Sequence, residues 1–97
     1  MEEKFYYDDE GRLHREDGPA LDFGDGIICW MHHGHTHRVG GPACVGYDGT
    51  EYYYQNSQLH REDGPAIIHR DGTVEYYLND VELDEVTHRF LMNPLLK

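Results

Sequence analysis

The chain has no long apolar stretch: none of its runs approaches the ~18 residues that a membrane-spanning helix requires. Its opening residues Met1-Glu2-Glu3-Lys4 do not read as a secretory signal. Positive charge is scarce, with 8 Lys plus Arg against 19 Asp plus Glu and a net charge of -11. That argues against passive binding to a nucleic-acid backbone or an anionic lipid surface, both of which need a basic face. Cysteine is scarce too, at two, Cys29 and Cys44. A small secreted domain usually carries more, paired as staples, so the expectation is a cytoplasmic protein with both thiols reduced. There is a single serine, Ser57, and no Gly-x-Ser-x-Gly, P-loop or His-Glu-x-x-His motif. A binding module is therefore expected rather than an enzyme, with no cofactor.

What the chain does have is 8 Tyr, 3 Phe, 1 Trp and 11 Gly in 97 residues. That composition is too polar for a thick core and too aromatic for disorder, and it suits a thin sheet with aromatic ribs. It also has a repeat. Leu13-His14-Arg15-Glu16-Asp17-Gly18-Pro19-Ala20 returns identically at residues 59–66, an offset of 46 or twice 23. Midway stands the degenerate copy Thr36-His37-Arg38-Val39-Gly40-Gly41-Pro42-Ala43. Asp25-Gly26, Asp48-Gly49 and Asp71-Gly72 keep the same spacing, as do the aromatics Tyr7, Trp30, Tyr53 and Tyr76.

Each unit reads as a hairpin. Asp-Gly followed by a run such as Thr73-Val74-Glu75-Tyr76-Tyr77-Leu78 is a strong turn-then-strand signal. Gly-Pro-Ala opens the other strand, where Pro is tolerated at the first position or on an edge. The expected fold is all-β, an antiparallel hairpin-repeat meander in one domain over residues 1–97. Its units fall at about 7–29, 30–52 and 53–75, with a cap over 76–97. In that cap Asp84 is placed to N-cap a short helix, Val86, Phe90 and Leu91 share a face, and Asn93-Pro94 ends it. Such a helix would close an open sheet edge.

The aromatic–x3–Gly–x2–His–x3–Gly–x6–Asp-Gly skeleton at this period resembles MORN-type repeats. The octapeptide Leu-His-Arg-Glu-Asp-Gly-Pro-Ala is similar, more closely, to repeats of uncharacterised proteins from tailed phages and giant viruses. The resemblance covers roughly residues 5–83. It implies an elongated sheet of hairpins, a viral origin and hence a host-cell cytoplasm. MORN repeats serve mostly as scaffolds and dimerisation surfaces. The chain departs from them by inserting Arg-Glu-Asp where they carry a simpler His-Gly-x-Gly.

Two clusters can carry chemistry. His14-Arg15, His37-Arg38 and His60-Arg61 could stack into a ladder that grips phosphate or carboxylate, with Trp30 and Tyr53 offering faces to a base. The bland alternative is that His holds backbone and Arg pairs with the following acid across the turn. Glu16-Asp17 and Glu62-Asp63 offset the outer arginines, whereas Val39-Gly40 does not, so Arg38 is the leading anion-binding candidate. The second cluster is His32, His33, His35 and His37. Alternation along a strand could bring His33, His35 and His37 together as metal ligands, but there is no paired Cys-x2-Cys, and Cys44 and Cys29 fall at apolar and aromatic slots of the repeat. The expectation is therefore no specific metal site. Since neighbouring side chains alternate, Tyr52, Tyr53 and Tyr54 cannot all face inward, and a homo-oligomer is expected from the exposed aromatics.

Three functions follow as expectations. The first is a viral, anti-defence binding protein that sequesters a small anionic ligand such as a nucleotide immune signal. The second is an acidic inhibitor of a basic, nucleic-acid-binding host protein, which the charge suits. The third is a repeat scaffold without ligand.

Overall fold

In the computed structural model, which describes residues 2–93 and Leu95, the repeat becomes a flat, elongated stack of antiparallel hairpins measuring 46 × 31 × 19 Å. Its radius of gyration, 14.7 Å, exceeds the about 12.5 Å of a compact domain of this length. The strands are β1 (Lys4–Phe5), β2 (Leu21–Asp22), β3 (Ile28–Cys29), β4 (Met31–His32), β5 (His35–Thr36) and β6 (Cys44–Val45). The rest are β7 (Glu51–Tyr52), β8 (Tyr54–Gln55), β9 (Gln58–Leu59), β10 (Ile67–Ile68), β11 (Val74–Leu78) and β12 (Val81–Leu83), followed by helix α1 (Glu85–Met92).

One sheet runs in the order β1-β2-β3-β6-β7-β10-β11-β12, and β4-β5 and β8-β9 form separate two-stranded hairpins. The meander expected from the sequence is what forms. Each unit turns twice. The Asp-Gly turns close β2-β3, β6-β7 and β10-β11, with Gly26, Gly49 and Gly72 at φ of 104°, 90° and 91°, where only glycine is unstrained. The preceding Asp locks each turn, as where Asp48 Oδ1 accepts the Thr50 amide at 3.0 Å.

The second turn of each unit is a two-residue loop with both φ values positive, the type I′ arrangement whose twist matches that of the strands. It is made by His33-Gly34, Asn56-Ser57 and Asn79-Asp80. The first hairpin departs from this: Asp8 and Arg12 bracket a three-residue loop ending at Gly11 (φ 81°). That one extra residue shifts the register ahead of it. Tyr6, not Tyr7, is the counterpart of Trp30 and Tyr53, because the Tyr6, Trp30 and Tyr53 amides donate to Ala20, Ala43 and Ala66.

The core is thin, as expected. Ala20, Ala43 and Ala66 are 0% exposed, and no large side chain is fully enclosed among the described residues. The pairing register carries Phe5, Leu21, Cys29, Cys44, Tyr52, Ile67 and Glu75 across the main sheet as one row. That row corrects the reading of two reduced thiols: Cys29 and Cys44 are cross-strand partners, Cα to Cα 4.1 Å, and form a disulfide.

Helix α1 caps the last unit, with Asp84 Oδ1 accepting the Thr87 amide at 2.7 Å. The hydrogen bond to the ionised carboxylate holds Asp84 below the ordinary acid range. The face that meets the sheet differs from the expected one. Val86 and Phe90 are exposed, while His88 is 4% exposed, lies 5.0 Å ring to ring from Tyr76 and donates Nε2–H to the Arg61 carbonyl at 2.6 Å. A polar anchor wins because the sheet end presents an unpaired carbonyl that an apolar side chain would leave unsatisfied. Pro94, the expected helix stop, lies outside the described residues. No helix among the described residues is long and apolar enough to cross a membrane.

Candidate functional site

The octapeptide repeats because its histidine, arginine, glycine and proline tie each unit to itself and to the next. His14, His37 and His60 sit where the chain returns from each hairpin, and each accepts on Nδ1 the backbone N–H of the next unit's turn. The donors are His33, Asn56 and Asn79, at 2.9, 3.1 and 3.0 Å. Those amides belong to left-handed turn residues that no ladder partner reaches, so the imidazole satisfies a donor that would otherwise be lost. With Nδ1 accepting, the neutral ring carries its proton on Nε2. There His14 donates to Glu16 at 2.8 Å and His60 to Glu62 at 3.2 Å.

Each arginine lies flat between an aromatic ring and a glycine. The guanidinium carbons of Arg15, Arg38 and Arg61 stand 4.2, 4.0 and 4.0 Å from the ring centroids of Tyr6, Trp30 and Tyr53. On the opposite side, a Cβ added at Gly18, Gly41 or Gly64 would come within 2.9, 2.8 or 2.9 Å of the same carbons. Every guanidinium also donates Nη1–H to the carbonyl of the following proline, at 3.4, 3.2 and 3.2 Å. The Gly-Pro-Ala triplet thus supplies a bare surface, a fixed carbonyl and a buried methyl. These are cation–π staples that bind one half of a unit to the other.

The outer arginines have a fourth partner: Arg15 Nε donates to Asp17 at 3.1 Å, and Arg61 Nε to Asp63 at 2.9 Å. Gly40 stands in that place beside Arg38, which has no carboxylate partner among the described residues. Arg38 faces a groove of about 260 Å³ between the second and third units, with Gly41, Tyr53, Gln55, His60 and Arg61 around it and Glu62 and Asp63 on the far wall. Tyr54, also on this groove, is pushed up from its ordinary pKa by burial, with the neighbouring Tyr52 adding to the shift, so it stays a neutral donor. A groove of about 230 Å³ between the first and second units shares Arg38 and is floored by Trp30.

The candidate ligand residues stack as a ladder, with Nε and one Nη1–H of each outer arginine committed within it. His14 and His60 use both ring nitrogens in it, on a turn amide and a glutamate. His37 lacks the carboxylate its counterparts have, because Val39 replaces Glu. Trp30 and Tyr53 each give one face to an arginine.

The histidine group is arranged differently from its spacing. Only His33 of the set His33, His35 and His37 enters a cluster with metal-ligand spacing. The turn at His33-Gly34 sends His35 onto the return strand, where its Nδ1 lies 3.4 Å from Ser57 Oγ, and His37 is taken by the Asn56 amide. The cluster that does form is His14, Glu16, His32 and His33, one ligand atom of each lying within 4.8 Å of the others. Asp8 reaches it from the first hairpin, accepting from His33 Nδ1 at 2.7 Å and from Arg12 Nε at 2.9 Å. The hydrogen bond from His33, with those from Arg12, holds Asp8 well below the ordinary carboxylate range. Sequence reading missed Asp8 and Glu16 here, since both come from elements brought close only by stacking. The chain matches none of the family models, curated proteins or solved structures with which it was compared.

Proposed function

We propose that this chain is a non-enzymatic binding protein that takes an anionic group of a small ligand, a nucleotide among the candidates, onto Arg38. The observation that carries this reading is that Arg38 is held by the same staple as Arg15 and Arg61 but lacks the carboxylate that each of them has. A guanidinium pinned on Trp30, with Nε lacking its usual acceptor, is preorganised for a carboxylate or phosphate oxygen. At about 260 Å³ the groove lies just below the ~300 Å³ at which ligand pockets begin. It suits one charged group and the edge of a ring rather than a whole enclosed ligand. The resemblance to phage repeats makes sequestration of a nucleotide immune signal the biological form of this reading.

The experiment is a thermal-shift and calorimetric panel of linear and cyclic nucleotides. Beside the natural protein stands Arg38→Gln, which removes the guanidinium and leaves the left-handed Gly40 (φ 88°) untouched. A nucleotide that stabilises the natural protein and not the variant supports the reading. Equal stabilisation of both, or of neither, removes Arg38 as the site.

A second reading rests on the carboxylates. Glu16, Asp17, Glu62 and Asp63 are between 70% and 86% exposed, in a chain of charge -11. These suit docking to a basic protein surface, which salt would weaken steeply. Pull-down at low and high salt separates this reading from the first and from a scaffold without ligand. Light scattering tests the expected self-association.

A further inference from the structure

The histidine cluster at the first unit boundary departs from the repeat in a way that its architecture does not require. The two-residue turn asks for residues that accept positive φ, and the other two units meet this with Asn56 and Asn79 at φ 49°. The first boundary uses His33 at φ 45° instead. Its neighbour His32 stands where the next unit has Gln55. Neither imidazole is needed to make the hairpin, since only the His33 backbone amide enters the staple on His14. Yet the ring of His33 stacks on that of His14 at 3.9 Å and 13°, and the ring of His32 lies 4.5 Å from His33.

Hydrogen bonding prepares the lone pairs. His33 gives its Nδ1–H to Asp8 Oδ2, which leaves Nε2 as a free donor atom. Glu16 is held by His14 Nε2–H on Oε1, which leaves its other oxygen open. His14 itself is not available through Nε2, because its Nδ1 is committed to the His33 amide. Both would-be ligands therefore already have the orienting partners that metal-binding imidazoles and carboxylates characteristically have. The ring nitrogens of His32 take part in none of the hydrogen bonds found among the described residues. With Glu16 and His32 both exposed, the present spread of up to 4.8 Å can contract to the about 3.3 Å between ligand atoms that tetrahedral coordination at 2.0–2.1 Å sets.

We propose that His32, His33 and Glu16 form a binding site for one divalent transition-metal ion of the zinc, nickel or cobalt kind, with Asp8 and His14 as positioning residues. Two imidazoles and one carboxylate are borderline donors that favour these ions over magnesium or calcium. Three protein ligands leave at least one coordination position to water. Glu16 and His32 line the same groove as Arg38, but the guanidinium is not among the ligands and the site needs no anion bound there.

The test uses tag-free full-length protein titrated with Zn²⁺, Ni²⁺ and Co²⁺ by calorimetry, with Co²⁺ absorption as a coordination signature. The key variant is His32→Gln/His33→Asn, which installs the residues of the second unit and so keeps the turn. The natural protein is expected to bind one ion, and the double variant at least 100-fold more weakly while its circular-dichroism spectrum without metal still shows the folded sheet. Asp8→Asn is expected to weaken binding about 10-fold at the same stoichiometry, and His35→Ala to leave it unchanged. The proposal is overturned if the double variant binds like the natural protein, if His35→Ala costs as much as the double variant, or if no saturable one-ion binding occurs.

Discussion

Replacing Gly64 by Ala adds a methyl group and nothing else, yet it is expected to undo a staple. The new Cβ would lie 2.9 Å from the Arg61 guanidinium carbon, so the guanidinium must leave its seat. Leaving means giving up the Tyr53 face at 4.0 Å, the Pro65 carbonyl at 3.2 Å and Asp63 at 2.9 Å. A cation–π contact at a half-buried site is worth about 1 kcal/mol. The part-buried bond to Pro65 adds about 1 kcal/mol. The pair with exposed Asp63 adds little, since solvent screens it. The expected loss is about 2 kcal/mol, or a fall in Tm of about 10 °C for a chain of this size. The decisive measurement is a double-mutant cycle by urea denaturation. With Arg61→Ala already in place there is nothing for the methyl group to displace, and Gly64→Ala should be neutral or slightly stabilising by restricting the unfolded chain. An equal cost of Gly64→Ala in both backgrounds would show that the glycine is there for its backbone and not for the arginine.

Two further predictions concern the sheet and the cap. Cys29 and Cys44 are 15 residues apart in sequence, and closing a loop of that length constrains the unfolded chain by about 3 kcal/mol. Reduction should therefore lower Tm by about 10–20 °C, and calorimetry giving the same Tm with and without reductant would contradict the pairing. Asp84 titrates below its ordinary value of 3.8 in the folded chain because it accepts the Thr87 amide. A depressed folded pKa stabilises above the unfolded value and loses that contribution as pH falls through the folded one. Natural protein should thus exceed Asp84→Asn in stability at pH 6, with the gap closing below pH 3.8; a gap unchanged at pH 2 in urea melts would refute the linkage.

Much of this architecture is legible in the sequence. A period of 23, Asp-Gly turns at that period and strand-forming runs after them decide an antiparallel hairpin meander, because turn chemistry and strand propensity act locally and agree. The N-cap at Asp84 is equally local. The isolation of Arg38 could be read from the replacement of Glu-Asp by Val39-Gly40. What the sequence could not decide is everything that depends on which unit lies against which. The exact-looking register of Tyr7 slips because one added loop residue at Gly11 costs nothing locally but displaces every residue before it. Two cysteines with no motif spacing become cross-strand partners only when the ladder aligns them. The helix docks through His88 because the last unit ends in an open Arg61 carbonyl, a need invisible in the helix's own pattern. The histidines regroup for the same reason: backbone turns, not sequence spacing, decide that His33 meets His14, Glu16 and Asp8 while His35 and His37 go elsewhere. Short-range chemistry wrote the unit, and stacking of unit on unit decided which side chains would meet.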